Sequence, residues 1–101
     1  MNPEQDDHEV TDGVTLYLLV EPREAASITV DGTRVEMTED DGSDVGSIVV
    51  QRDREIELMI VPVSGYTFRG WGGDYDGSDR LQQSIRLTPH DDMEITATLT
   101  Q

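Results

Sequence analysis

Three carboxylates crowd the stretch Gly73-Asp74-Tyr75-Asp76-Gly77-Ser78-Asp79, and oxygen-rich loops of this kind are what hard cations such as Ca²⁺ require. Calcium takes roughly six to eight oxygens, and a helix–loop–helix calcium site needs a bidentate Glu at its twelfth loop position. Counted from Asp74 the twelfth residue is Ile85, so that geometry fails. A looser site would need Glu39, Asp40, Asp41 and Asp44 to meet the first loop in space. The plainer reading is a solvated turn with nonspecific cation association. No metal or other cofactor is assigned, and Asp74, Asp76 and Asp79 remain the candidates to check.

The other candidate chemistry is nucleophilic. His8 and His90 are the only histidines, and His90 stands beside Asp91 and Asp92. A His–Asp–Ser set with Ser64 or Ser84 can be written, but no nucleophile elbow or Gly-rich oxyanion loop accompanies it. Paired carboxylates are plentiful, and their abundance lowers the value of each pair as an acid/base signal. The expectation is a protein that is not an enzyme.

The surroundings of these residues are strongly acidic. Of 101 residues, 22 are Asp or Glu and seven are Arg, with no Lys, for a formal charge of −15 and a pI near 4.1. Acidity alone favours solubility. Acid enrichment without lysine is also the surface style of a protein adapted to molar salt, where the Debye length falls to about 3 Å. The charge excludes nucleic acid, whose binding rests on a basic footprint. No apolar run approaches the ~18 residues that would insert into a bilayer, and without cysteine neither disulfides nor thiolate metal sites arise. The acidic start lacks the basic and apolar regions of a signal peptide.

The chain reads as one domain with an acidic tail or linker over residues 1–13 and a folded part over 14–101. Val14, Leu16, Leu18 and Val20 alternate onto one face of a first strand. Asp31-Gly32 predicts a tight hairpin, with Val30 facing Thr33, Ile28 facing Val35 and Ala26 facing Met37. Residues 38–44 read as an acidic loop, 46–50 as a short strand and 52–54 as a turn. Ile56, Leu58 and Ile60 then point inward before Pro62. Gln83, Ile85 and Leu87 alternate, as do Met93, Ile95, Ala97 and Leu99. Seven or eight short strands separated by turn residues predict an all-β, or nearly all-β, antiparallel domain.

The centre of this plan is Gly65-Tyr66-Thr67-Phe68-Arg69-Gly70-Trp71-Gly72-Gly73-Asp74, which holds the only Phe, the only Trp and one of three Tyr. Tyr66 and Phe68 share a face, whereas Trp71 has the opposite parity, and a bulge at Gly70 would return the indole to the core. The expected core is Tyr66, Phe68, Trp71, Ile56, Leu58, Ile60, Ile85, Leu87, Ile95, Ala97 and Leu99. Tyr17 and Tyr75 are the expected exposed aromatics, available to a partner surface.

From Glu55 to Leu99 the order of strand, Pro, Gly-Tyr-x-Phe-x-Gly-Trp-x-Gly-Asp-like segment and closing hairpin resembles the divergent internalin B-repeat family of bacterial and archaeal surface repeats. The closing aromatic of that pattern is Leu99 here, and the Gly usual before the long strand is replaced around Arg52-Asp53-Arg54. The resemblance implies a β-grasp-like or compact sandwich module without catalytic residues, monomeric or in tandem within a longer chain. Its expected role is protein–protein or cell-surface interaction, or spacing, in a salt-loving prokaryote, with a protein as partner. A stand-alone cytoplasmic Ca²⁺-binding acidic protein is the alternative. The family is usually extracellular; a chain complete as written would be cytoplasmic.

Overall fold

Alternation of apolar residues decides the architecture. The computed structural model describes residues 13–75 and 77–101. It contains nine strands: β1 (Gly13–Glu21), β2 (Ala26–Val30), β3 (Thr33–Arg34), β4 (Thr38–Asp40), β5 (Ser43–Gln51), β6 (Ile56–Pro62), β7 (Thr67–Gly73), β8 (Ser84–Leu87) and β9 (Met93–Thr100). They form a five-stranded sheet in the order β4-β5-β1-β9-β7 and a four-stranded sheet in the order β3-β2-β6-β8. No helix occurs among the described residues. Of the two architectures expected, the sandwich is the one formed.

The inward faces of both sheets share one core. Leu16, Leu18 and Val20 of β1 and Ile95, Ala97 and Leu99 of β9 meet Ile28, Ile56, Leu58, Ile60 and Ile85 of the opposite sheet, all buried. At about 25 cal/mol per Å² of apolar surface removed from water, these aliphatic side chains are the main source of stability. The core expected from the second half of the sequence is therefore completed by β1 and β2 from the first.

Most pairings are antiparallel, but the first and last strands run parallel, with Leu16 beside Met93 and Glu21 beside Thr98. The antiparallel β domain that was expected thus contains one parallel pair. Alternation fixes which face a strand buries and leaves its direction open.

The Asp31-Gly32 turn forms as expected. Both residues have positive φ (51° and 86°), and Val30 pairs with Thr33. The Val35 amide still donates to the Ile28 carbonyl at 3.0 Å, but Ala26 does not pair with Met37. After the buried Val35 the chain leaves this sheet and crosses Gly46, where a Cβ would lie 2.5 Å from the Glu36 carbonyl oxygen and 2.6 Å from the Met37 sulfur. Residues 38–44, expected as an acidic loop, instead make β4 and a second tight hairpin around Asp41 and Gly42 (φ 57° and 88°). That hairpin lengthens β5 to nine residues and raises the strand count above eight.

Candidate functional site

The aromatic segment enters β7, which lies at the edge of the larger sheet against β9. Phe68 pairs with Leu99 and Gly70 with Thr98, so Arg69 is the extra residue of a bulge. Gly70 takes φ 149°, a backbone region that favours glycine. The bulge reverses the parity of the strand and turns Trp71 inward, where it is only 3 % exposed. Its ring meets Phe68 edge to face, with centroids 5.3 Å apart and planes at 64°. The indole N–H finds its acceptor in the Gln82 carbonyl. Tyr66 and Phe68, expected at the centre, are half-buried on the rim. The centre is too densely filled by branched aliphatic side chains to admit three rings.

The acidic loops use their carboxylates locally. Asp74 Oδ2 accepts the Glu94 amide at 2.9 Å, while the Asp74 amide donates to the Glu94 carbonyl at 2.6 Å. Asp79 accepts from the Tyr75 hydroxyl, and Tyr75, expected to be exposed, is half-buried against the core. Asp76 lies outside the described residues. In the other loop Glu39 accepts the Gly42 amide at 3.1 Å, and Asp44 accepts the Glu24 amide at 2.8 Å. Among the described residues no group of three or more His, Asp or Glu is arranged to hold a metal ion.

His90 and Asp53 are hydrogen-bonded through Nδ1 and Oδ1. The Asp53 amide donates to the Pro89 carbonyl at 2.8 Å, and Arg52 Nη1 donates to the His90 carbonyl at 2.6 Å. These contacts fasten the turn after β5 to the turn between β8 and β9. Ser84, written above as a nucleophile, donates its hydroxyl to Glu57 at 2.8 Å. His90 thus joins a structural clasp with Asp53 rather than a serine.

On the outer face of the larger sheet Tyr17 is 51 % exposed. Tyr17, Leu19, Val45 and Ser47 line an open depression of about 370 Å³ with Asp40 and Glu94 beside it. Its floor is apolar and flanked by carboxylates. Tyr17 was legible through its outward parity in β1. The second hairpin was also legible, because Asp41-Gly42 is the same dipeptide as Asp31-Gly32. No known protein family model, no curated protein and no solved structure matches the chain.

Proposed function

We propose that this chain is a non-catalytic β-module for protein–protein or cell-surface interaction, or for spacing, of the internalin B-repeat type and from a salt-adapted prokaryote. What supports the reading most is the use made of the Gly-Tyr-x-Phe-x-Gly-Trp segment. Its bulge, its buried indole and its edge-to-face aromatic pair all serve the architecture. A motif occupied by folding leaves recognition to the outer sheet faces, the turns and the sheet edges. The net charge of −15 without lysine supports the salt-adapted part of the reading.

The test is to find the native polypeptide in its source cells with an antibody and record its size and cell fraction. A band much larger than 11.3 kDa in the envelope or medium is the expected result. A band near 11.3 kDa in the cytosol, together with saturable Ca²⁺ binding in molar KCl, would replace this reading with a cytoplasmic cation-binding protein.

A further inference from the structure

An unpaired sheet edge is a template for another strand, and proteins blunt such edges with charges, bulges, very short strands or covering segments. The terminal strands here follow that rule. β3 has two residues and carries Arg34, β4 carries Glu39 and Asp40, and β8 has four residues and carries Arg86. β7 is bulged, and its Trp71 amide donates to the Arg80 carbonyl of the segment that covers it. The exception is the second half of β5. β4 covers only Ser43, Asp44 and Val45, which among the described residues leaves Ser47-Ile48-Val49-Val50-Gln51 as edge, uncharged and rich in β-branched residues.

The direction of the backbone groups on this edge follows from two independent observations. The Thr15 amide points away from β5, donating to Asp92 Oδ1 at 2.8 Å. Backbone groups alternate in direction along a strand, so Thr15 and Val49 face each other without exchanging hydrogen bonds. The tight Asp41-Gly42 loop sets the same phase. It makes Asp40–Ser43 and then Thr38–Val45 hydrogen-bonded pairs, and Ser47 and Val49 point the same way as Val45. The N–H and C=O groups of Ser47 and Val49 therefore face outward from the sheet. Among the described residues neither takes part in a turn or loop backbone hydrogen bond. The Val49 side chain is 57 % exposed.

We infer that this edge takes a second copy of the chain, β5 pairing antiparallel with β5 about a two-fold axis through Val49. In that register Val49 faces Val49 and Ser47 faces Gln51, so outward groups meet in hydrogen-bonded pairs. The strip is uncharged, which keeps the charge of each copy off the contact. Beyond it, the turn carrying Arg52 and Arg54 in one copy comes alongside β4 of the other, with its Glu39 and Asp40. Arg54, 63 % exposed in a loose 3.8 Å pair with Asp31, can reach those carboxylates, while Arg52 keeps its contacts with Asp91 and the His90 carbonyl. Two copies at −15 each repel in dilute buffer. At about 1 M salt that repulsion is screened within about 3 Å and the short-range contacts decide. Association strengthens as salt rises. This inference rests on the edge geometry and is independent of the surface-module reading.

Light scattering on the full chain at about 0.1 M and about 3 M KCl tests it. The expected result is an 11.3 kDa species at low salt and twice that mass at high salt. Val49→Lys places two ammonium groups on the axis and should weaken association by at least about tenfold. Val49→Pro removes an N–H that the ladder to β1 does not use, and it should act in the same direction. Unchanged tryptophan fluorescence identifies the variants that remain folded. A monomer at both salts, which leaves the edge to a foreign strand or to none, overturns the inference. A dimer that folded Val49→Lys leaves intact overturns it as well.

Discussion

The indole N–H of Trp71 donates to the carbonyl of Gln82 at 2.8 Å, so the one tryptophan of the chain holds the segment that covers its own strand. The Trp71 amide reinforces this by donating to the Arg80 carbonyl at 2.8 Å. One residue thereby closes the core and protects an edge.

Replacing Trp71 with Ala removes the buried ring and both roles of its side chain. The expected cost is about 3–5 kcal/mol, a large share of the ~5–15 kcal/mol typical of a domain. Trp71→Phe keeps most of the burial and loses the donor, leaving the Gln82 carbonyl to solvent, and should cost about 1–2 kcal/mol. Urea unfolding followed by circular dichroism separates the two. Equal losses would mean that the hydrogen bond, not the ring's volume, dominates.

Three glycines of β7 give a graded test of backbone geometry. Gly73 has φ 77°, and a Cβ there would lie 2.4 Å from the Glu94 carbonyl oxygen. Gly73→Ala should cost at least about 2 kcal/mol, because backbone must move. Gly70→Ala meets the flexible Leu81 Cδ2 at 3.1 Å and the Arg80 carbonyl oxygen at an ordinary 3.6 Å, but its φ of 149° still strains any other residue, for about 1–2 kcal/mol. Gly72→Ala meets nothing within 4 Å and has no positive φ, so it should be neutral or stabilising by up to about 1 kcal/mol. Melting curves that reverse this order would refute the bulge geometry.

Asp74 is expected to act on the backbone rather than on a cation. Asp74→Ala strips the Glu94 amide of its acceptor and should cost about 1–2 kcal/mol. Calorimetric titration with Ca²⁺ in molar KCl should give the same featureless trace for the parent and the variant. A saturable isotherm in the parent that the substitution abolishes would make Asp74 a ligand.

Salt should stabilise the fold itself. With −15 charges on one small sandwich, raising KCl from about 0.1 M to about 3 M relieves self-repulsion and should raise Tm by on the order of 10 °C. The measurement belongs on Val49→Lys, where association between copies does not contribute. A flat Tm would remove the basis for salt adaptation.

Much of the sandwich was legible because its strands alternate cleanly. Val14 to Val20, Ile56 to Ile60 and Ile95 to Leu99 each bury the face that their parity assigns. The bulge was legible for the same reason: Trp71 sits out of phase with Phe68, and glycine stands between them. Strand direction and sheet membership were not. Nothing in Val14–Val20 or Met93–Leu99 encodes a parallel pairing, and the crossing at Glu36–Met37 depends on the space above a distant glycine. Local side-chain bonds were equally hidden. Asp31 accepts the Glu57 amide and Asp92 accepts the Thr15 amide, partners 26 and 77 residues away in sequence.

The parallel register of β1 and β9 also determines how the domain would bear load. Parallel neighbours place the beginning of one strand and the end of the other at opposite ends of the sheet, so Gly13 and Thr100 lie at opposite poles. A pull applied through those two residues drives β1 and β9 past each other along their length. Every hydrogen bond between Leu16–Glu21 and Met93–Thr98 then resists in shear at once, rather than parting one after another as in a hairpin opened from its free end. The ladder at the centre of the larger sheet is therefore a mechanical clamp between Gly13 and Thr100.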